Sequence, residues 1–105
     1  MYKPYEPHQI EWRGVPIQVR YCPSWSKSHE EIYGERMAHL EIEVLNEPRS
    51  PLPITETGYR SHFIHAKAIE DEGGPVAFVR AWLDEEAQSP KWKELEAASR
   101  QMSLL

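Results

Sequence analysis

A chain of 105 residues, 40% hydrophobic and 28% charged, is sized for one globular domain that buries about 60–65% of its unfolded surface. Seventeen acidic residues against twelve Lys and Arg leave a formal net charge of −5, which argues against direct nucleic-acid binding, because gripping a phosphate backbone needs a basic surface. Cys22 is the single cysteine, so a reducing cytoplasm is expected. With no 18-residue apolar run and no signal-peptide stretch, a membrane is not an expected partner.

Residues 1–7, rich in Tyr and Pro, predict an extended arm. A hairpin follows, turning at Arg13-Gly14 and pairing Trp12 with Val15, Ile10 with Ile17, and His8 with Val19. That register gathers Ile10, Trp12, Val15, Ile17, Val19 and Tyr21 mainly on one face. Residues 22–36 read as a loop with one short helical turn around Ser28–Tyr33. The third strand has the clearest pattern: Ala38, Leu40, Ile42 and Val44 alternate with His39, Glu41 and Glu43, predicting a buried face and a solvated one. Three prolines make Glu47–Pro53 irregular, and Ser61–Ile69 suggests a fourth strand.

Gly73-Gly74-Pro75 predicts a helix start, with Pro75 in the first turn and acids just upstream. Val76, Val79, Leu83 and Ala87, broadened by Phe78 and Trp82, form its apolar stripe. Ser89-Pro90 ends this helix and caps the next, expected over about Lys91–Ser99 with Trp92, Leu95 and Ala98 facing inward. The expected fold is α+β: one domain over residues 1–100, an antiparallel sheet of about four strands packed against two C-terminal helices.

Five histidines and one cysteine do not assemble into a metal or catalytic motif. His62 and His65, three apart, fall on opposite faces of a strand, and no Cys-x-x-Cys or His-Glu-x-x-His spacing occurs. Nothing in the spacing places Cys22 beside a histidine, and Gly73-Gly74 follows three acids that would repel phosphate. No metal, no cofactor and no enzymatic activity are expected.

Two segments are candidates for binding a partner. The run Pro51-Leu52-Pro53-Ile54-Thr55-Glu56-Thr57-Gly58-Tyr59-Arg60-Ser61-His62-Phe63 is dense in hydrogen-bonding groups. One reading is an ordered loop presenting Thr55, Glu56, Thr57, Tyr59, Arg60 and His62 to a partner. The other is a crossover whose Thr and Glu cap turns while Tyr59 packs on the sheet. The segment resembles one found in small uncharacterised proteins of proteobacterial plasmids and other mobile elements, a resemblance that extends over most of the chain and brings no function with it.

The second candidate is Gln101-Met102-Ser103-Leu104-Leu105. The Gln101 amide both donates and accepts, Met102 fills irregular apolar space, and Ser103 is small and turn-compatible. Leu104 and Leu105 would each contribute about 1.5–3 kcal/mol if fully buried. These five residues resemble the pentapeptide by which bacterial polymerases and mismatch-repair proteins grip the sliding clamp: Gln, Leu or Met, Ser or Asp, Leu, then Phe or Leu. The resemblance implies the clamp (the beta subunit of DNA polymerase III) as partner and a small adaptor or modulator as function, with avidity if the protein forms a homodimer. The bland alternative is that Met102 and the leucines are the last core contacts of the preceding helix. A reading of another class is a self-contained protein-binding module of a mobile element, anti-defence or toxin-neutralising, that uses the 51–63 loop.

Overall fold

The computed structural model describes residues 5–103, with side chains to residue 99. Four strands, β1 (Glu6–Trp12), β2 (Val15–Cys22), β3 (Met37–Val44) and β4 (Tyr59–His65), form one antiparallel sheet in the order β1-β2-β3-β4. The helices are α1 (Lys27–Tyr33), α2 (Ala66–Asp71), α3 (Pro75–Glu86) and α4 (Pro90–Ser103). The architecture is the expected α+β one, an antiparallel sheet with mostly C-terminal helices.

The first hairpin has the register read from the sequence: Trp12 opposite Val15, Ile10 opposite Ile17, His8 opposite Val19. Arg13 (φ 49°) and Gly14 (φ 81°) both take left-handed conformations, as a two-residue turn matched to strand twist requires. Arg13 tolerates it while its guanidinium lies 4.7 Å from the Trp12 ring and donates to Glu96 of α4 at 2.8 Å.

One face of the sheet carries the core. Ile17, Val19, Ala38, Leu40, Ile42 and Val44 are fully buried there, closed by Ile69 of α2 and by Val79 and Leu83 of α3. Burying side chains of this size contributes about 1.5–3 kcal/mol each. Helix α3 starts at Gly74-Pro75 as expected, and its stripe of Val76, Val79, Leu83 and Ala87 meets the sheet. The Ser89 hydroxyl caps α4, accepting from the Trp92 amide at 3.2 Å.

Four expectations need correction. The fourth strand spans Tyr59–His65, not Ser61–Ile69, because the chain turns helical at Ala66-Lys67-Ala68, good helix formers, and buries Ala66 and Ile69 from α2. The last helix runs four residues past Ser99, to Ser103. Its inward face is shorter than expected: of the three residues Trp92 packs on the core, whereas Leu95 is 43% exposed and Ala98 is exposed. Finally, His39 does not sit on a solvated face; it is 7% exposed.

Candidate functional site

Burial of His39 identifies the site. On the sheet face away from the core, β3 presents Met37, His39, Glu41 and Glu43, paired across β4 with His65, Phe63, Ser61 and Tyr59. Strand β2 adds Cys22 opposite His39 and Arg20 opposite Glu41. Strand alternation alone would leave His39 wet. Instead Tyr5, from the arm before β1, and Trp25, from the β2–α1 loop, close over it. Trp25 is held by its amide, which donates to the Met37 carbonyl at 2.8 Å.

The imidazole is fixed on every side. Its Nδ1 is 2.5 Å from the Tyr5 hydroxyl and its Nε2 is 2.6 Å from Ser61 Oγ. The ring stacks on Phe63 with centroids 4.2 Å apart and planes 16° off parallel. Trp25 meets Phe63 edge-on at 5.0 Å. Beside this cluster the Arg20 guanidinium lies 4.8 Å from the Tyr5 ring and donates to Glu41 at 3.0 Å, and the Tyr59 hydroxyl donates to Glu41 at 2.8 Å. Phe63 is 49% exposed and Trp25 36%, while Ser61 is also exposed. A buried imidazole thus bonds the hydroxyl of an exposed serine inside an aromatic rim.

Burial is the largest influence on His39 and pushes its pKa below the ordinary histidine value; Glu41 opposes the shift and Arg20 adds to it. Burial likewise raises the Tyr5 phenol, helped by Glu41 and opposed by Arg20 and by the Trp25 hydrogen bond. Both partners are therefore neutral near pH 7. On the core side His62 is also lowered, by burial first and then by Arg60.

A pH dependence of stability follows. In the unfolded chain a histidine titrates near 6.5, about the free value, whereas folded His39 and His62 hold a proton less readily. The unfolded state binds more protons, so their contribution is fully present above pH 6.5 and is lost as pH falls through the lowered folded values. The urea midpoint is expected to be lower at pH 5 than at pH 7, with part of the difference removed in a His62→Gln variant. A midpoint that rises on acidification would contradict this assignment.

The six candidate residues of the 51–63 loop do not converge. Leu52 and Ile54 are buried anchors, and Leu52 and Thr55 exchange backbone hydrogen bonds at 2.8 and 3.1 Å. The Thr55 hydroxyl donates to the Tyr59 carbonyl at 2.7 Å with Thr57 alongside, which closes the turn. Glu56 pairs with Lys91 of α4 at 2.8 Å, both side chains in water. The backbone places Tyr59 on the open face; Arg60 and His62 point to the other side, toward Trp82. Arg60 lies 5.3 Å from that ring and donates to the Ile54 carbonyl, and His62 lies 4.5 Å from it. Of the binding pentapeptide, Gln101, Met102 and Ser103 have helical backbone in α4. Their side chains, and all of Leu104 and Leu105, lie outside the described residues.

In comparison with protein families, the family model of the KlcB third domain matches residues 5–92. The chain belongs to the KlcB third-domain family. No curated protein and no solved structure matches it. The KlcB third-domain match runs from Tyr5 through Ser61 to Trp92, so it takes in the whole open-face cluster, the sheet and the anchoring turn of α4. Residues 93–105, pentapeptide included, fall outside it. Membership agrees at a coarse level with association with a mobile element. Among the described residues no helix is long and apolar enough to cross a membrane, and no group of three or more His, Cys, Asp or Glu is arranged to hold a metal ion.

Proposed function

We propose that this KlcB third-domain protein is an adaptor that docks on the bacterial sliding clamp through residues 101–105, bringing its folded body to the replication and repair machinery or competing there for the same pocket. The observation that carries this reading is the course of α4. If the pentapeptide were the end of a core helix, the residues before it would be buried. Instead Leu95, Ala97, Ala98 and Ser99 are exposed, and α4 continues to Ser103. Exposure of the residues that lead into the pentapeptide supports a docking peptide over a last core contact. A short linear peptide loses conformational entropy on docking, so affinity near micromolar is expected, about −8 kcal/mol.

Calorimetric titration of the full chain into purified clamp tests this. Deletion of residues 101–105, Gln101→Ala and Leu104→Ala are each expected to abolish binding and leave the thermal unfolding of the domain within about 0.5 kcal/mol of the parent, because surface changes rarely cost more. Affinity unchanged in all three variants would sink the proposal.

A second reading is a self-contained protein-binding module of a mobile element. It is favoured by the exposed aromatic side chains Trp25, Tyr59 and Phe63 on and beside the open sheet face, since large aromatics rimmed by charged groups are typical of binding hot spots. Tyr59 and Phe63 come from the 51–63 segment. Limited proteolysis separates the readings: early clipping near the tail with the body intact favours the peptide, whereas a protected tail favours the module.

A further inference from the structure

We infer that Ser61, His39 and Tyr5 form a nucleophile relay on the open face of the sheet, in which Ser61 accepts an acyl group from an ester carrying an apolar or aromatic substituent. This goes beyond the adaptor reading and stands or falls independently of it.

The geometry is that of an activated serine. A hydroxyl becomes a nucleophile when a base lies within about 2.6–3.2 Å of it and a third group orients that base. Ser61 Oγ to His39 Nε2 is 2.6 Å, and His39 Nδ1 to the Tyr5 hydroxyl is 2.5 Å. In the tautomer required, Nδ1 carries the proton and donates to the Tyr5 oxygen, while Nε2 accepts from Ser61. Stacking on Phe63 holds the ring plane, and burial keeps the imidazole in its neutral, basic form at pH 7. The groups facing His39 are Tyr5 from the arm, Arg20 and Cys22 from β2, Trp25 from the β2–α1 loop, Glu41 from β3 and Ser61 from β4, and His62 of β4 is coupled to it through charge. Ser61 is an exposed residue, whereas the base is buried. Half-exposed Phe63 and Trp25 offer the adjoining surface on which an aromatic acyl or leaving group would stack.

The step balances without an added cofactor. Ser61 Oγ forms a bond to the ester carbonyl carbon as its proton passes to His39 Nε2. The bond from that carbon to the alcohol oxygen then breaks, and the departing oxygen takes the proton from His39. Water repeats the sequence in reverse roles, releasing the acid and restoring Ser61. A positioned base of this kind contributes about 10²- to 10⁴-fold.

The test uses the full chain and a fluorophosphonate probe, which exchanges its P–F bond for a bond to Oγ with loss of fluoride. One adduct per chain, mapped by peptide mass to Ser61, is expected. The Ser61→Ala variant should stay unlabelled while keeping the parent's circular dichroism spectrum, at a lower urea midpoint because buried His39 Nε2 loses its partner. Labelling of His39→Gln should be slower by about 10²-fold, and the parent rate should rise with pH through the range where His39 loses its proton. A 4-nitrophenyl acetate burst that disappears in Ser61→Ala would be the parallel result for a carboxylic ester. No adduct, an adduct elsewhere, or equal labelling of Ser61→Ala overturns the relay. Should His39→Gln fail to fold, the parent pH profile decides: a labelling rate that does not fall on acidification below the ordinary histidine value, down to the pH at which the domain unfolds, overturns it.

Discussion

Replacing Trp12 by Ala is expected to lower the unfolding free energy by about 3–5 kcal/mol, the range for deleting a buried aromatic side chain. Trp12 ties the first hairpin to both long helices. Its ring, 5% exposed, packs 5.9 Å from that of Trp92, and its indole N–H donates to Asp84 of α3 at 2.9 Å. Arg13, which reaches Glu96 of α4, rests on the same ring. Truncation leaves a cavity between the hairpin and both long helices and removes the donor from Asp84. At about 4–8 °C per kcal/mol for a domain near this size, the melting point should fall by at least about 12 °C. Trp12→Phe, which keeps most of the ring but not the N–H, should recover more than half of the loss. Thermal unfolding followed by circular dichroism measures both. A loss under about 1 kcal/mol for Trp12→Ala would show that the hairpin and helices are not stapled there.

The second large effect is expected at Gly58, where Gly58→Ala should cost about 2–4 kcal/mol from backbone strain and crowding together. Gly58 has φ +84°, a conformation that L side chains rarely adopt, and a Cβ built there would lie 2.9 Å from the Arg49 Cβ and 3.3 Å from the Ser50 carbonyl oxygen. Relief is not available by simple rotation of a flexible side chain, because the close atom is attached to backbone. The Gly58 carbonyl also accepts from the Val44 amide at 2.8 Å, the contact that sets β4 beside β3 just before Tyr59 and Ser61. Urea unfolding should show the lower midpoint. If Ser61 is a nucleophile, labelling should slow as well, since a shift of β4 moves its hydroxyl off His39 Nε2. A variant as stable as the parent would mean that the 46–58 connection shifts freely, contrary to its buried Leu52 and Ile54.

Elements governed by local chemistry were readable from the chain. The hairpin register followed from period-two hydrophobicity around a glycine turn, and the start of α3 from Gly74-Pro75, because both signals lie within a few residues. The end of β4 is not legible because Ile64, Ala66 and Ala68 continue a period-two pattern, while the helix is completed by Ile69 meeting the core. The inward face of α4 is not legible for the opposite reason: the spacing of Trp92, Leu95 and Ala98 is helical, but periodicity carries no information on where the core beneath ends. The open-face cluster was legible only on β4, where Tyr59, Ser61 and Phe63 belong to the 51–63 segment. Tyr5 lies 34 residues from His39 and Ser61 lies 22 from it, and no spacing joins the three. The sign that something was there is negative: a histidine on the polar side of a strand is covered only when distant aromatics arrive over it.

The course of α4 also sets a geometry for anything held at its end. From Trp92, the last side chain packed on the core among the described residues, to Ser103 the helix rises about 16 Å at 1.5 Å per residue. A Gly/Ser linker of equal length would let the body sample every orientation, whereas a helix acts as a semi-rigid spacer. Anchored at its base by Lys91 to Glu56 and by Arg13 to Glu96, α4 would work as a boom: it fixes the distance from a docking point to the body and the direction in which the open sheet face looks.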